Sequence, residues 1–463
     1  MEQIPLALIE KYSRPGPRYT SYPTAAEFSS DFGADTWVDE LRLLNSEVSG
    51  SERQISLYLH IPFCHSLCYY CACNKIIPKN REGVPAYLAA VTNEAALYAE
   101  RLGSEREVDH IHWGGGTPNF LSPEEIVALH QAILVHFPGI HPSSEISVEV
   151  DPRTLTREHL RTFREQGFNR ISFGVQDFDP EVQECVNRIQ PFDLTQRTVI
   201  EAREFGFSGI NIDLIYGLPN QTREGFCQTI ERVIELSPDR IALYGYAHVT
   251  WVSKVQTTFR RFDIPSPGER VAIFSEAVSA LSDAGYIYLG MDHFAKPGDE
   301  LTQALKAGTL HRNFMGYTSR LAEPLIGLGV SSISSLSSAI GQNTKDISEY
   351  ERGVASGVIP VTRGVKRTGD DCIRGNLIEK ILCERRVDFS VFQNRWNQDF
   401  YSYFPQAFTA LRRFESDGLV QLTSEGFFVT SLGAFFLRNI AMTFDSYLLA
   451  HEQQGKPVFS QAV

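Results

Sequence analysis

Six apolar runs, separated by segments with helical patterns, constrain the fold of this chain more than any other feature. They predict strands at Ile55–Pro62, Val108–Trp113, Ile146–Val150, Arg170–Gly174, Ile210–Tyr216 and Ile241–Tyr246. Strands that alternate with helices at intervals of about 30–40 residues are typical of right-handed βαβ units and a parallel sheet. The sequence therefore predicts an α/β fold with six barrel units. It leaves open an eight-unit barrel whose last two units are not visible.

Polar or glycine-rich residues follow nearly every predicted strand. They are Gly114–Pro118 after the second strand, Glu149 and Asp151 at the end of the third, Gln176 after the fourth, Asp213 in the fifth and Ala247 after the sixth. A βα barrel builds its active site at the carboxyl ends of its strands, whereas structural signals spread over both ends. We therefore expect the functional site at this end of the sheet.

A cysteine-rich loop follows the first predicted strand. Cys64, Cys68, Cys71 and Cys73 fall within ten residues, and the first three have the spacing C-x3-C-x2-C. Iron–sulfur clusters are held by cysteine thiolates, and three ligands on a cubane cluster leave one iron open for catalysis. The alternatives are a four-cysteine zinc site or a redox pair of Cys68 and Cys71. Zinc usually takes two well-separated cysteine pairs, and no second pair follows here.

Length and composition describe an ordinary globular protein. A chain of 463 residues is long enough for two or three domains with a large core. The net charge of −13 argues against nucleic acid or an anionic membrane as a partner. No apolar run reaches the roughly 18 residues of a membrane span and the N-terminus lacks a secretory pattern, so we expect a cytoplasmic protein. The other cysteines are scattered singly, which argues against a disulfide framework: Cys185, Cys227, Cys372 and Cys383.

The flanks of the barrel have different patterns. Residues 1–50 form an N-terminal extension whose segment GPRYTSYPTA, residues 16–25, is either a plain loop or a segment that packs over the active-site mouth and presents Arg18. The barrel is predicted to cover residues 51–300. Residues 301–365 are predicted to form an extension of the barrel and a linker, with Gly- and Ser-rich loops at Asn313–Thr318 and Gly327–Ser335. Residues 366–463 are predicted to form a smaller, mostly helical domain.

The elements of this last domain suggest a winged-helix-like fold. Helical patterns cover Asp370–Cys383 and Gln406–Phe414, a hairpin is expected at Leu419–Thr430, and a final helix at Gly433–Leu448. Winged-helix folds often bind DNA, but this segment has no dense basic stripe, which argues against that role.

Several of the polar residues have both a functional and a structural interpretation. Gly115 and Gly116 let the backbone approach a ligand closely, or they form only a tight turn. Asp213 in an apolar strand needs a partner, either a ligand or a neighbouring loop. Gln176 can hydrogen-bond a ligand at the same face, and Arg188 is either a ligand contact or a surface helix residue.

The cysteine spacing, with Tyr70 before the third cysteine, resembles the signature of radical S-adenosylmethionine (SAM) enzymes. Within that superfamily the chain resembles the oxygen-independent coproporphyrinogen III oxidases, also called coproporphyrinogen dehydrogenases, over nearly its whole length. The matching stretches are GPRYTSYPTA at 16–25, HIPFCHSLCYYCACNK at 60–75, HWGGGTP at 112–118, EISVEVDPR at 145–153, GVQDF at 174–178, NIDLIYGLP at 211–219, MDHFA at 291–295 and GYT at 316–318.

The resemblance implies a partial (β/α)6 barrel that binds one [4Fe–4S] cluster and two SAM molecules. Cys64, Cys68 and Cys71 would hold the cluster, while Cys73 is a fourth family cysteine that is not a cluster ligand. Arg18 would be a candidate to meet a substrate propionate. The contacts of the cluster-bound SAM would be Tyr58, Gly115, Glu149 and Ile333, and those of the second SAM would be Tyr70, Gly116, Thr117, Gln176, Arg188, Asp213 and Ala247.

The implied reaction is the anaerobic oxidative decarboxylation of two propionate side chains of coproporphyrinogen III to vinyl groups, in haem biosynthesis. A 5′-deoxyadenosyl radical takes a hydrogen atom next to the macrocycle, and loss of CO2 and one electron then leaves the vinyl group. The enzyme would be an oxidoreductase that needs an electron donor for its cluster and an electron acceptor. We expect it to be monomeric.

Several positions depart from the family pattern, including Ala72 between the last two cysteines. Three of them are expected near the substrate, which makes the substrate the weaker inference: Thr250, Pro324 and Glu384. The alternatives are a haem chaperone of the same superfamily without oxidase activity, a radical SAM methyltransferase or haem-degrading paralogue, and a zinc-stabilised winged-helix regulator. The chaperones lack both the fourth cysteine and the GPRYTSYPTA segment, whereas this chain has both.

Overall fold

A computed structural model describes residues 5–46, 53–103, 106–321, 323–448, 451 and 459. The first strands of the chain begin and end within a few residues of the apolar runs that predict them. The strands are β1 (Gln54–Ile61), β2 (Glu107–Gly115), β3 (Ile140–Val150), β4 (Arg170–Gln176), β5 (Gly209–Tyr216), β6 (Arg240–Gly245), β7 (Ile287–Gly290), β8 (His293–Ala295), β9 (His311–Asn313), β10 (Gly316–Thr318), β11 (Leu325–Leu328), β12 (Ile333–Ser335), β13 (Ala339–Asn343), β14 (Val361–Lys366), β15 (Arg386–Asp388), β16 (Val420–Leu422) and β17 (Gly426–Val429).

Helices follow each of the barrel strands β2 to β6, as the alternation predicts. They are α1 (Leu6–Tyr12), α2 (Ala34–Ser46), α3 (Val84–Leu102), α4 (Pro123–His136), α5 (Arg157–Glu165), α6 (Pro180–Cys185), α7 (Phe192–Glu204), α8 (Arg223–Leu236), α9 (Pro267–Asp283), α10 (Glu300–Ala307), α11 (Ile347–Ala355), α12 (Gly369–Cys383), α13 (Phe389–Trp396), α14 (Phe400–Tyr403), α15 (Ala407–Ser416) and α16 (Leu437–Ala441). Among the described residues, no helix is both long enough and apolar enough to cross a membrane.

The main sheet is an open, partial barrel. Its strand order is β14-β13-β12-β11-β1-β2-β3-β4-β5-β6-β8-β7, and the run from β11 through β1 to β6 is parallel. Strands β8 and β12 add on antiparallel at either end, so the described sheet does not close into eight parallel units. The parallel strands are buried on both faces under the helices, which explains why they read as apolar runs. The barrel therefore has six βα units, as predicted, and the eight-unit alternative is wrong.

Strands form at two places where the sequence predicts loops. Residues Asn313–Thr318 belong to the hairpin β9–β10, in which Asn313 pairs with Gly316. Residues Gly327–Ser335 contain the end of β11 and all of β12, and Gly327 pairs with Tyr58 of β1. Glycine and serine are weak strand formers. Here they form strands because the edge of β1 offers unpaired backbone groups and because Gly327 makes room for the Ile333 backbone, which a Cβ at Gly327 would approach to 2.5 Å.

Glu94 of α3 holds this extension of the sheet in place. Its carboxylate accepts hydrogen bonds from the Gly329 backbone N–H at 2.7 Å, the Asn343 amide at 2.6 Å and the Tyr350 hydroxyl at 2.6 Å. The residue is fully buried, and burial raises the pKa of the Glu94 carboxyl to about 7. The three hydrogen bonds favour the ionised carboxylate, but burial outweighs them and favours the neutral carboxyl group.

We predict that Glu94→Gln destabilises the protein by about 1–3 kcal/mol, because the amide NH2 group must face one of the three donors. The stability difference between wild type and variant should decrease as pH rises. The raised pKa means that folding takes up a proton between about pH 4.5 and 7, so the wild type loses stability as pH rises through this window, whereas the glutamine variant does not. Thermal unfolding from pH 5 to 8 should therefore show the largest difference between variant and wild type at pH 5. A stability difference that is constant from pH 5 to 8 would contradict the raised pKa of Glu94.

Buried ion pairs close the amino-terminal end of the barrel. Asp299 lies 2.9 Å from both Arg170 Nη2 and Arg240 Nε, and Arg170 also lies 3.5 Å from Glu145. The surrounding arginines hold the pKa of Glu145 at about 2 even though burial opposes this. These ion pairs neutralise one another at the amino-terminal end of the barrel. In βα barrels, residues at that end usually serve stability and not catalysis.

The C-terminal region packs around a second core and also binds the N-terminal segment. The hairpin predicted at Leu419–Thr430 is confirmed as β16–β17, and β15 pairs with β17. The single helix predicted at Gly433–Leu448 is wrong: α16 covers only Leu437–Ala441 and has 3-10 turns on both sides. The reason is tertiary: Arg438 donates to the carbonyls of Gly16 and Pro17, and these bonds fix the short helix against the N-terminal segment.

Candidate active site at the carboxyl ends of the strands

The cysteine loop is a closed loop at the end of β1. The Cys64 N–H donates to the Ile76 carbonyl at 2.9 Å, and the Ile76 N–H donates to the Pro62 carbonyl at 2.7 Å. A further turn brings the Cys71 N–H to the Cys68 carbonyl at 3.2 Å. These bonds hold Cys64, Cys68 and Cys71 on one short loop at the expected end of the sheet.

Hydrogen-bond donors surround two of the three sulfur atoms. The Thr117 hydroxyl lies 3.4 Å from Cys64 Sγ. Arg153 Nη2 and Arg188 Nη1 each lie 3.6 Å from Cys68 Sγ. The two guanidinium groups also share the Asp151 carboxylate, at 2.6 Å and 3.3 Å. Positive charge and donors stabilise the thiolate form, which is the form that binds metal.

The third and fourth cysteines lie side by side. The Cys73 thiol hydrogen-bonds the Cys71 sulfur, and this bond, with the charge of Lys75, lowers the pKa of Cys71 to about 6. Cys73 itself is exposed, whereas Cys68 is buried and Cys64 and Cys71 are half-buried. Burial raises the pKa of Cys64 to about 11, so its thiolate needs a bound metal ion to persist at neutral pH.

These residues fit an iron–sulfur cluster better than a single metal ion. Three soft thiol ligands without disulfide bonds share one loop, and the donors above face their sulfur atoms. In the described part of the chain, no three His, Cys, Asp or Glu side chains converge on a point that would hold one ion. A cubane cluster does not require such convergence, because each cysteine binds a different iron.

The glycine triplet packs against the base of the cysteine loop. Gly115 has φ +108°, and a Cβ there would lie 2.6 Å from the His60 ring. A Cβ on Gly116 would lie 2.5 Å from the Pro62 carbonyl, and the Gly116 N–H donates to the Ile61 carbonyl at 2.8 Å. The glycines are needed because β1 and β2 approach each other closely where the cysteine loop begins.

We predict that Gly116→Ala displaces the cysteine loop, because its methyl group would meet backbone atoms that cannot rotate away. The iron bound after anaerobic reconstitution should fall several-fold, and thermal stability should fall by about 1–3 kcal/mol. Gly83→Ala is the matched control, since no atom lies within 4 Å of a Cβ placed there. Equal iron content in the two variants would show that the close approach is not needed for the loop.

Glu149 lies beside the glycine triplet in the barrel. Its carboxylate accepts from the Gly115 N–H at 3.3 Å and lies 3.2 Å from His112 Nε2, and 45% of its side chain is exposed to the cleft. Burial opposes ionisation, but the hydrogen bond from His112 holds the pKa of Glu149 below its usual value. Tyr58 stacks on His112 with ring centroids 6.0 Å apart, and its hydroxyl lies 3.1 Å from His60 Nδ1. An ionised Glu149 can therefore accept hydrogen bonds from a cationic or hydroxylic ligand.

Asp213 and Glu149 line the same cleft, whose volume is about 740 Å³. The Asp213 oxygens accept from Ser172 at 2.9 Å and from Asn211 at 2.8 Å, so its partners are neighbours in the sheet, not a loop. Burial raises the pKa of Asp213 to about 6. Gln176 has φ +70° where β4 ends, an unusual conformation for a residue other than glycine. The carboxylate, imidazole and hydroxyl groups that line this cleft suit a polar ligand.

Arg188 is buried, so the interpretation as a surface residue is wrong. Besides Cys68 and Asp151, it donates to the Gly174 carbonyl at 2.5 Å. On the opposite side of the cysteine loop, Gln256 donates to the carbonyls of Tyr70 at 2.8 Å and Ala247 at 3.2 Å. Ile333 begins β12, which pairs with β11, and β11 in turn pairs with β1.

Arg18 faces a second cleft, between β6 and the C-terminal region. It bonds Asp292 at 3.1 Å and the Gly245 carbonyl at 3.4 Å, and it lies over the Tyr244 ring. Arg270 and Arg438 line the same cleft, which has a volume of about 570 Å³. Burial and the charge of Arg18 lower the pKa of Arg438 to about 10. Three guanidinium groups against one carboxylate make this cleft suited to an anion.

Sequence reasoning missed four contributors to the site. Arg153 was visible within the matching stretch 145–153 but was given no role, and Gln256 lies in a segment without a motif. Arg270 and Arg438 lie 168 positions apart in the sequence and carry no local pattern, so only the packing of the C-terminal region on the barrel brings them together.

The three departures lie in different places. Thr250 is in the segment after β6, close to the cysteine loop. The Pro324 carbonyl accepts from the Ser56 N–H where β1 begins, far from the carboxyl ends of the strands. Glu384 pairs with Lys380 at 2.7 Å in the C-terminal region. Pro324 and Glu384 do not line either of these two clefts, and their expected place near the substrate stays a prediction.

Comparison with known proteins identifies the family of this chain. Residues 58–233 match the Radical SAM superfamily. The chain is 42% identical to the oxygen-independent coproporphyrinogen III oxidase of Helicobacter pylori over 98% of its length and 99% of that protein, and 43% identical to that of Escherichia coli over 96% and 95%. The solved structure of the Escherichia coli coproporphyrinogen III oxidase, described as a radical SAM enzyme, superposes with a TM-score of 0.89 over 96% of this chain and 100% of that one.

Proposed function

Because this chain belongs to the oxygen-independent coproporphyrinogen III oxidases, within the radical SAM superfamily, we propose that it converts two propionate side chains of coproporphyrinogen III to vinyl groups. It is an oxidoreductase of haem biosynthesis. The observation that carries the assignment most directly is the closed loop with Cys64, Cys68 and Cys71, set against the Gly115–Glu149 pair at the carboxyl ends of the strands.

A [4Fe–4S] cluster and SAM belong to this activity. When bound, they supply a 5′-deoxyadenosyl radical that takes a hydrogen atom from the carbon next to the macrocycle. Cys64, Cys68 and Cys71 would hold the cluster, and Thr117, Arg153 and Arg188 would donate to its thiolate ligands. Outer hydrogen bonds of this kind set the orientation and electronic properties of a metal site.

Two SAM molecules are proposed, because the family resemblance implies two sets of contacts. In the first set, Tyr58, Gly115 and Glu149 come from β1 to β3, and Ile333 comes from β12. The second set is drawn from more of the barrel: Tyr70 from the cysteine loop, Gly116 and Thr117 after β2, Gln176 at the end of β4, Arg188 after α6, Asp213 in β5 and Ala247 after β6. Glu149 and Asp213 would accept from ammonium or ribose hydroxyl groups, because carboxylates are strong acceptors for both.

The substrate would present its propionates to the arginine cleft. Arg18 can bind a carboxylate in a bidentate manner, and Arg270 and Arg438 add to the positive potential of the same cleft. The reaction at each propionate balances as loss of one hydrogen atom, one CO2 and one electron. The chain's own contribution is to fix the position of the propionate and to exclude water and oxygen.

Cys73 is a candidate for a further catalytic role, because it is exposed beside Cys71 and is not needed to complete three cluster ligands. The electron donor and acceptor are proposed to be separate molecules. A cytoplasmic location and a monomeric state stay predictions.

Anaerobic turnover tests the proposal. The reconstituted protein is supplied with SAM, a strong reductant, coproporphyrinogen III and cell extract as electron acceptor, and products are separated by chromatography and mass spectrometry. Loss of two CO2 per macrocycle with formation of 5′-deoxyadenosine is the expected result. Formation of 5′-deoxyadenosine with unchanged porphyrinogen would favour a paralogue with another substrate. Absence of both products from a cluster-loaded protein would favour a binding function.

A further inference from the structure

We propose that the surface around the cysteine loop is the docking site of a small, acidic electron-carrier protein. This inference rests on the proposed function, in which the cluster must receive one electron for each SAM cleaved. The docking surface consists of Ile77, Ile189, Trp251 and Val252 and the basic residues around them.

The apolar part of the docking surface is unusually exposed. The exposed fractions are 39% for Ile77, 56% for Ile189, 51% for Trp251 and 63% for Val252. Trp251 and Val252 lie side by side in the segment that follows β6. Exposed apolar residues that lie close together mark interaction sites, and tryptophan is enriched where proteins bind each other.

Hydrogen bonds from neighbouring residues hold two segments of the docking surface against the cysteine loop. Near Ile189, the Asn187 amide donates to the Leu67 carbonyl at 2.8 Å. Near Trp251, the Ser253 hydroxyl donates to the Cys71 carbonyl at 3.0 Å. The docking surface therefore flanks the loop on two sides, at short range from the cysteines.

The charge of the docking surface is opposite to that of the whole chain. Residues 62–80, 186–190 and 247–262 contain no Asp or Glu, although the chain has 56 acidic residues and a net charge of −13. Four basic side chains in these segments are exposed: Lys79, Lys254, Arg260 and Arg261. A locally positive surface on an acidic protein attracts an acidic partner and orients it at encounter.

An apolar centre with a basic rim fits a transient protein partner. Transient redox complexes bury little surface and gain speed from charge complementarity. The proposed partner is a one-electron carrier with an acidic face around its redox group. Its reduced form gives one electron to the cluster and becomes oxidised by one electron, without any bond being formed between the two proteins.

The test compares two electron sources. Trp251→Ser and Lys254→Glu change the docking surface, and Val135→Ser and Arg395→Glu are matched controls, since Val135 is 75% exposed and Arg395 is an exposed residue of α13. The reconstituted variants are reduced anaerobically, once by dithionite and once by the hydroquinone of a bacterial flavodoxin, an acidic FMN protein. Cluster bleaching and 5′-deoxyadenosine formation are the readouts.

With flavodoxin, the second-order rate of cluster reduction should fall at least tenfold in each docking-surface variant and stay at the wild-type value in both controls. The salt dependence of the rate should weaken in Lys254→Glu, and dithionite should give wild-type rates throughout. Unchanged flavodoxin rates, or equal loss with dithionite, would overturn the docking site. A raised KM for coproporphyrinogen III with an unchanged flavodoxin rate would assign the surface to the substrate. No 5′-deoxyadenosine from the wild type with dithionite would instead overturn the proposed function itself.

Discussion

Serine in place of Cys64, Cys68 or Cys71 should abolish iron binding, whereas Cys73→Ser should keep the iron and lose turnover. The first three cysteines share the closed loop, and donors face the sulfur atoms of Cys64 and Cys68. A serine hydroxyl cannot replace a thiolate there, because it is neutral at this pH and a poor ligand for iron. Cys73 is exposed and contacts Cys71 through a hydrogen bond, so its loss leaves the three ligands in place.

The measurement is iron and sulfide content after anaerobic reconstitution, together with product formation. The wild type should hold about four irons per chain, and each of the first three variants close to none. Cys227→Ser is the control, because this cysteine lies on α8 and contacts Glu276, away from the loop. Loss of iron from Cys73→Ser would overturn the ligand assignment, as would full iron content in Cys64→Ser.

Arg18→Ala should spare SAM cleavage and reduce decarboxylation about a hundredfold. Arg18 is the residue of the N-terminal segment that enters the arginine cleft, and its pairing with Asp292 at 3.1 Å holds the guanidinium there. Removing one partner of a charged hydrogen bond costs roughly 2–5 kcal/mol, which corresponds to a loss of about 30-fold to several thousandfold, and a hundredfold loss lies within this range. SAM cleavage should persist because the cysteine loop and the Glu149 cleft do not involve Arg18.

The two activities are measured in one reaction, as 5′-deoxyadenosine formed and CO2 released. Arg14→Ala is the matched control, since Arg14 is exposed and lies four residues earlier in the same segment. Arg18→Lys should recover only part of the activity, because lysine lacks the bidentate geometry. Normal product formation in Arg18→Ala would remove Arg18 from the substrate site, and parallel loss of both activities would indicate a structural role.

The barrel and the cysteine loop were predictable because their signals are local. A buried parallel strand must be apolar over five to eight consecutive residues, so β1 to β6 are visible in the sequence itself. The C-x3-C-x2-C spacing is equally local, since one loop supplies all three cysteines. The strand extension β11–β12 was missed for the opposite reason. Its Gly- and Ser-rich sequence has no strand signal, and it forms only because β1 offers an open edge and Glu94 holds the turn.

The sequence by itself determined which residues stand at the carboxyl ends of the strands, and with them the cysteine loop, the glycine triplet, Glu149 and Asp213. Periodicity and spacing carry this information because each strand and loop satisfies its own backbone and burial requirements. Only the tertiary structure decided which distant charges meet there. Arg153 and Arg188 converge on Cys68, and Arg18, Arg270 and Arg438 share one cleft, because separate segments pack against the barrel. Contacts between such segments depend on the packing of the whole chain and leave no pattern within any one of them.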